Sequence, residues 1–99
     1  MPSVLALPAE LTIYTVGETR PQWLAWLAAD DAESLRADAS GVTEVDAAGV
    51  QLLVALARAV EFQQRRLQLD GPSPALRGAC ERLGLTGLLD TRLPAGVDA

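Results

Sequence analysis

Histidine and lysine are both missing from this 99-residue chain, and cysteine occurs once. The lack of histidine removes Ser-His-Asp and Cys-His nucleophilic sites, imidazole metal ligands and a histidine general base together. Without lysine, all positive side-chain charge rests on 8 arginines, against 13 acids, for a net charge of −5. Only Arg65 and Arg66 are adjacent. Nucleic acids and anionic membrane surfaces are held by clustered bases, so neither is expected as a partner. The single thiol, Cys80, excludes an intrachain disulfide and fits a reducing compartment, so a cytoplasmic location is expected. Long hydrophobic runs are also missing. The longest, Val50 to Ala57, is interrupted by Gln51 and falls far short of the ~20 residues that span a bilayer, so no membrane insertion is expected. Met1 to Leu7 has neither a basic region nor a long apolar stretch and does not read as a signal peptide.

What remains is ordinary globular material, 49% apolar and 21% charged. A chain of this length holds one domain, burying roughly 60–70% of its unfolded surface around one modest core. Val4 to Leu7, closed by Pro8, reads as an edge strand. Leu11 to Tyr14 alternates and reads as a second strand, with Pro8-Ala9-Glu10 as the turn of a hairpin. Thr15 and Glu18 match a capping box, but Pro21 follows, so either a loose first turn precedes it or the regular helix begins there. Trp23, Leu24, Trp26 and Leu27 form the apolar stripe of that helix, one tryptophan being expected in the core and the other at an interface. Ser34 to Asp38 reads as a strand with Arg36 at an exposed face or strand end. Val45 stands as a lone apolar residue.

Ala47 to Gln64 carries the clearest helical signal. Val50, Leu53, Val54, Ala57 and Val60 share a face, Leu52 and Leu56 widen it, and Asp46 is placed to cap it. Arg58, Glu61 and Arg65 are assigned to its solvated side. Arg66 to Asp70 alternates as a half-buried strand. Ser73-Pro74 opens a helix with a hydroxyl cap and proline at its first position. Leu76, Ala79, Cys80 and Leu83 follow at helical spacing, with Cys80 read as a buried, inert thiol. Gly84 is placed as a left-handed C-terminal residue. Leu85, Leu88 and Leu89 add a last apolar segment, and residues 91–99 are expected to fray. The order β-β-α-β-α-β-α gives an α/β domain over residues 1–90, with a four- or five-stranded mixed sheet and helices mainly on one face.

Chemistry concentrates in Ser40-Gly-Val-Thr-Glu-Val-Asp-Ala-Ala-Gly-Val-Gln-Leu-Leu, a strand, a loop and a helix start with a small-residue tip. Backbone N–H groups at such a tip are open to a partner or an anion. Equally, Asp46 can simply cap the helix while the small residues allow close packing. Ser40 and Thr43 are read as loop hydrogen-bonding hydroxyls. The carboxylates Glu44 and Asp46 share a face, but so short a chain has little room for a hydrolytic cleft, and no catalytic residue is assigned. Asp30, Asp31 and Glu33 read as a solvated loop rather than a cation site. No metal or cofactor is expected.

Asp46-Ala47-Ala48-Gly49 followed by an apolar helix resembles the loop of the STAS domain, the fold of bacterial anti-sigma-factor antagonists, where Asp-Ser-Ser-Gly, Asp-Ser-Thr-Gly or Asp-Thr-Ala-Gly is common. Glu10-Leu-Thr-Ile-Tyr-Thr looks like that family's second strand leading into its first helix. Gly71-Pro-Ser-Pro-Ala-Leu-Arg is similar to the opening of its last conserved helix, and Leu83-Gly84-Leu85 with Leu88-Leu89 to its close. The resemblance implies a non-enzymatic docking module that binds a serine-kinase-type partner through Asp46, Ala47, Ala48, Gly49 and Gln51. It makes Ala47 the phosphoacceptor position, where alanine has no hydroxyl, so the expected behaviour is constitutive binding. It leaves three settings open: antagonism of an anti-sigma factor, a subunit docked on the ATPase of a lipid-transport ABC system, or an accessory of a chemotaxis-type array. A small-ligand carrier would instead need a sizeable apolar pocket beneath the helices. Gly49→Arg is expected to leave the fold intact and to abolish docking.

Overall fold

The computed structural model of the chain describes residues 4–85 and 87. Its elements are β1 (Val4–Ala6), β2 (Glu10–Leu11), α1 (Val16–Ala29), β3 (Ser34–Asp38), β4 (Glu44–Val45), α2 (Ala47–Phe62), β5 (Arg66–Asp70) and α3 (Pro74–Arg82). The strands form a three-stranded ladder in the order β1-β3-β5 and a two-stranded ladder of β2 with β4. Both are parallel throughout.

The α/β class and the four- or five-strand count agree with the sequence, but the initial hairpin, which would have made the sheet mixed, does not form among the described residues. Proline at position 8 has no N–H to donate to a ladder. The Ala9 carbonyl is taken by the N–H groups of Thr43 and Glu44 at 2.8 and 3.0 Å. The chain therefore leaves β1 beside β3 and re-enters a ladder beside β4, whose Val45 is thus a strand residue rather than an isolated one. β2 stops at Leu11 because the next residues close on themselves. The Thr12 carbonyl accepts from the N–H groups of Thr15 and Val16, and the Thr12 N–H donates to the Thr15 hydroxyl at 3.0 Å. Ile13 and Tyr14, read as strand residues, sit in this turn.

The Thr15 hydroxyl, turned back to donate to the Glu10 carbonyl at 3.0 Å, does not cap α1. The expected capping box with Glu18 is absent. The helix runs through Pro21, which removes the bond to the Gly17 carbonyl; both residues are exposed, so water can serve that group. Thr19, Trp23 and Leu27 form its buried face, and Trp26 is half-buried against the core.

Helix α2 buries Gly49, Val50, Leu53, Leu56 and Val60, while Val54 and Ala57 are partly covered. Each buried aliphatic side chain contributes about 1.5–3 kcal/mol relative to exposure. Leu35 and Ala37 of β3 pair in register with Leu67 and Leu69 of β5, and all four face the core. Their neighbours Ser34, Arg36 and Arg66 face outward with Val4 and Ala6, so the helices cover one face. Arg36 meets Asp70 at 2.9 Å on the open face, as its charge requires. α2 packs on β5, β2 and β4, α1 packs on α2, and α3 packs on β4 and α2.

Ser73 caps α3 by accepting from the Leu76 N–H at 3.1 Å, with Pro74 at the first helical position. Gly84 has φ +71 and ends it, as expected. Cys80 is fully buried, and burial pushes its thiol pKa up. Arg65, assigned to the solvated side of α2, lies past its end and half-buried. Its guanidinium donates to the carbonyls of Ala32 at 2.8 Å and Leu27 at 3.2 Å and also to that of Asp30, clasping the α1–β3 connection. Leu85 packs against the core; Leu88, Leu89 and residues 91–99 lie outside the described residues. Among the described residues no helix is long and apolar enough to cross a membrane.

Candidate functional site

Asp46 is the keystone of the front of α2. One carboxylate oxygen, Oδ1, accepts from the Gly49 N–H at 3.0 Å and caps the helix. The other, Oδ2, accepts from the Ile13 N–H at 3.0 Å and ties the β2–α1 turn to the same point. These two donors, Ile13 first and Gly49 second, favour the charged form and hold the Asp46 carboxyl below its usual range. The carboxylate is thus ionised and already engaged on both oxygens.

The expected docking residues divide by exposure. Ala47 and Gln51 are exposed, Asp46 and Ala48 are half-buried, and Gly49 is buried. Gly49 therefore offers no surface to a partner, contrary to the reading from sequence. A Cβ there would lie 1.9 Å from the Leu11 carbonyl oxygen and 2.6 Å from its carbon, so glycine is what lets α2 approach the end of β2. The same contact overturns the expectation that Gly49→Arg keeps the fold.

Two residues missed from the sequence complete the tip. Ile13 is 60% and Tyr14 88% exposed, in the turn bonded to Asp46. Their alternation with Leu11 mimics a strand, and the only local hint against it was the pair of flanking threonines, Thr12 and Thr15, whose hydroxyls favour turns. The Tyr14 N–H donates to the Thr12 hydroxyl at 3.3 Å, which donates in turn to Glu10 at 2.8 Å. Beside Thr12 and Asp46, an open depression of ≈ 430 Å³ runs between β4 and α3, lined also by Val45, Pro74, Ala75 and Gly78. It lies at the surface beside the tip, not beneath the helices.

The other candidates serve the loops. Ser40 donates to Asp38 at 2.6 Å, and the Thr43 hydroxyl donates to the Ala9 carbonyl at 3.2 Å. Asp30 accepts from the Ala32 N–H at 2.9 Å and closes the turn after α1. Glu44 and Asp46 diverge in role, Glu44 being exposed in β4 and Asp46 holding the helix cap.

A family model described as "Mlab, STAS domain" matches residues 1–90. A sequence comparison with curated proteins finds no match. Among solved structures, the anti-sigma factor antagonist SpoIIAA in its unphosphorylated form superposes with a TM-score of 0.68 at 24% identity, covering 86% of this chain and 74% of that one. At that identity the likeness is one of fold.

Proposed function

Because this chain belongs to the STAS domain family, we propose that it is a regulatory protein-docking module of the cytoplasm, contacting its partner through the front of α2 and carrying out no reaction. The observation that carries this reading is Ala47, the exposed residue directly after the capping Asp46, which has no hydroxyl. A phosphate at that position would add roughly −1.5 to −2 charge to the tip. Alanine cannot accept one, so the tip stays in its unmodified form and the module binds constitutively. Control then rests with the partner or with expression.

An anti-sigma factor of serine-kinase type is the first partner class, in line with the antagonist whose fold the chain shares. Permanent docking suits equally a subunit on a transport ATPase or an accessory of a signalling array. The genes beside this one separate the three: a sigma factor and serine kinase, a permease and ATPase, or a receptor and histidine kinase.

The test is capture of partners from the source cell by wild-type chain and by Ala47→Arg. Position 47 is exposed, so the substitution leaves stability within about 0.5 kcal/mol. Loss of the principal partner from an equally stable variant supports the reading. An unchanged set of bound proteins overturns it.

A further inference from the structure

The turn between β2 and α1 presents two large apolar side chains to solvent next to the docking tip. Buried apolar area drives association, and an exposed tyrosine beside an isoleucine in a fixed turn is the composition of an interface anchor. The turn is held at both ends. The Ile13 N–H donates to Asp46, the Tyr14 N–H to the Thr12 hydroxyl, and the Thr15 N–H to the Thr12 carbonyl at 2.9 Å. A backbone ordered before binding loses little entropy on binding.

Acids predominate beside this pair. Glu10 and Glu44 are register partners on neighbouring strands, and no described arginine forms an ion pair with either. Like charges side by side on a ladder weaken it, and although Glu10 accepts the Thr12 hydroxyl, no described ion pair offsets the charge of Glu44. Asp46 adds a third carboxylate bonded directly to the turn. Arg82 lines the adjoining depression together with Glu44 and Asp46, and Arg20 stands on α1; neither is paired with these acids among the described residues.

This excess of acids decides between occupants. A second copy meeting the patch by a two-fold axis would set Glu10, Glu44 and Asp46 of one chain against the same acids of the other, in a chain of net charge −5. A positively charged surface meets no such repulsion. We propose that Ile13 and Tyr14 are the anchor of the docking interface, and that the partner receives them in an apolar recess rimmed by arginine or lysine. This rests on the reading of the α2 front as the docking face, and adds the anchor and the partner's charge.

The experiment uses the purified partner selected by the wild-type chain, with binding followed by surface plasmon resonance. Tyr14→Ala and Ile13→Ser each weaken Kd by about 30-fold or more, as interface anchors do. Raising NaCl from about 50 to about 300 mM slows association of the wild type by roughly tenfold. Tyr14 is the sole tyrosine of the chain, so its nitration by tetranitromethane reports on this one ring, and the partner protects it. If Ala47→Arg abolishes binding while both turn variants bind normally and Tyr14 stays reactive in the complex, the anchor is wrong and the docking face stands. If Ala47→Arg binds normally, the docking face itself is wrong. Salt-independent association overturns the cationic rim, and a concentration-dependent dimer of the wild type broken by Tyr14→Ala replaces the partner with a second copy.

Discussion

The Asp46 carboxylate accepts the backbone N–H of Ile13 at 3.0 Å, joining positions 33 residues apart. Through its other oxygen it caps α2 at Gly49. One side chain therefore sets the start of the central helix and the position of the exposed turn.

Removing Asp46 should show in the acid limb of stability. Its folded pKa is lowered from 3.8, first by the Ile13 N–H and next by that of Gly49. A depressed folded pKa means the unfolded chain binds protons more readily, so the stabilisation is complete above about pH 4 and is lost as pH falls through the folded value. Thermal melts of wild type and Asp46→Asn from pH 7 down to 2.5 check this. Asp46→Asn can still cap Gly49 through its amide oxygen but turns an NH2 donor toward the Ile13 N–H, so it melts lower at pH 7, by a few degrees, and the gap narrows below about pH 4. A slope remains in the variant because Asp38, lowered mainly by the Ser40 hydroxyl, titrates in the same direction.

Gly49→Ala tests the close approach of helix and strand. The added methyl would meet Leu11 backbone at 1.9 Å, which no rotamer relieves. The cost is about 3 kcal/mol or more, read as a lower urea midpoint. A variant within 1 kcal/mol of wild type would show that α2 can back away from β2. Binding defects of Gly49 variants are therefore ambiguous, and Ala47 is the position to use.

Much of the fold was legible because its signals are local. Val50, Leu53 and Val60 repeat at helical spacing, Ser73-Pro74 is a cap and first-position pair, and Leu67 and Leu69 alternate within five residues. Pairing is not local. Leu11 and Ile13 alternate as a strand would, but only Leu11 has a ladder partner, Val45, which lies beyond α1 and β3, and two-residue strands leave almost no periodicity to read. The adjacent hairpin was the economical choice, and Pro8 with the engaged Ala9 carbonyl rules it out. The site divides the same way. Asp46 and Ala47 follow from a cap and a resemblance, whereas the contribution of Ile13 depends on a contact that only the folded chain creates.

Gln64 offers a stabilising substitution. It has φ 59, in the left-handed region where a Cβ is strained. Its N–H donates to Glu61 and that of Arg65 to Val60, the bonding of a helix end that normally carries glycine here. Gln64→Gly should gain about 0.5–1 kcal/mol, partly offset by the looser unfolded chain, and raise the melting temperature by a few degrees.

Arg65→Lys should not be conservative. The guanidinium reaches the Leu27, Asp30 and Ala32 carbonyls in three directions from one plane, which an ammonium on a flexible stem cannot match. The expected loss is about 1–3 kcal/mol, with amide exchange at Ala32 and Glu33 accelerating more than at Leu53. Equal acceleration at all three would mean the clasp is not local.

Ala47→Ser restores the one atom the tip lacks, and so tests what kind of partner the tip was built to meet. Position 47 opens α2 and is exposed, and a hydroxyl there is tolerated by the helix start. If the partner is a serine-kinase-type protein, incubation with it and ATP should add about 80 Da to Ala47→Ser and nothing to the wild type, by intact mass. The new phosphate would add bulk and a desolvation cost at the contact itself, beside the ionised Asp46, so the modified variant should release the partner while wild type stays bound. A wild-type mass gain would place the phosphate on another hydroxyl and end the case for constitutive binding. A variant that binds as tightly as wild type but never gains mass would remove the kinase class and leave the transport and array partners.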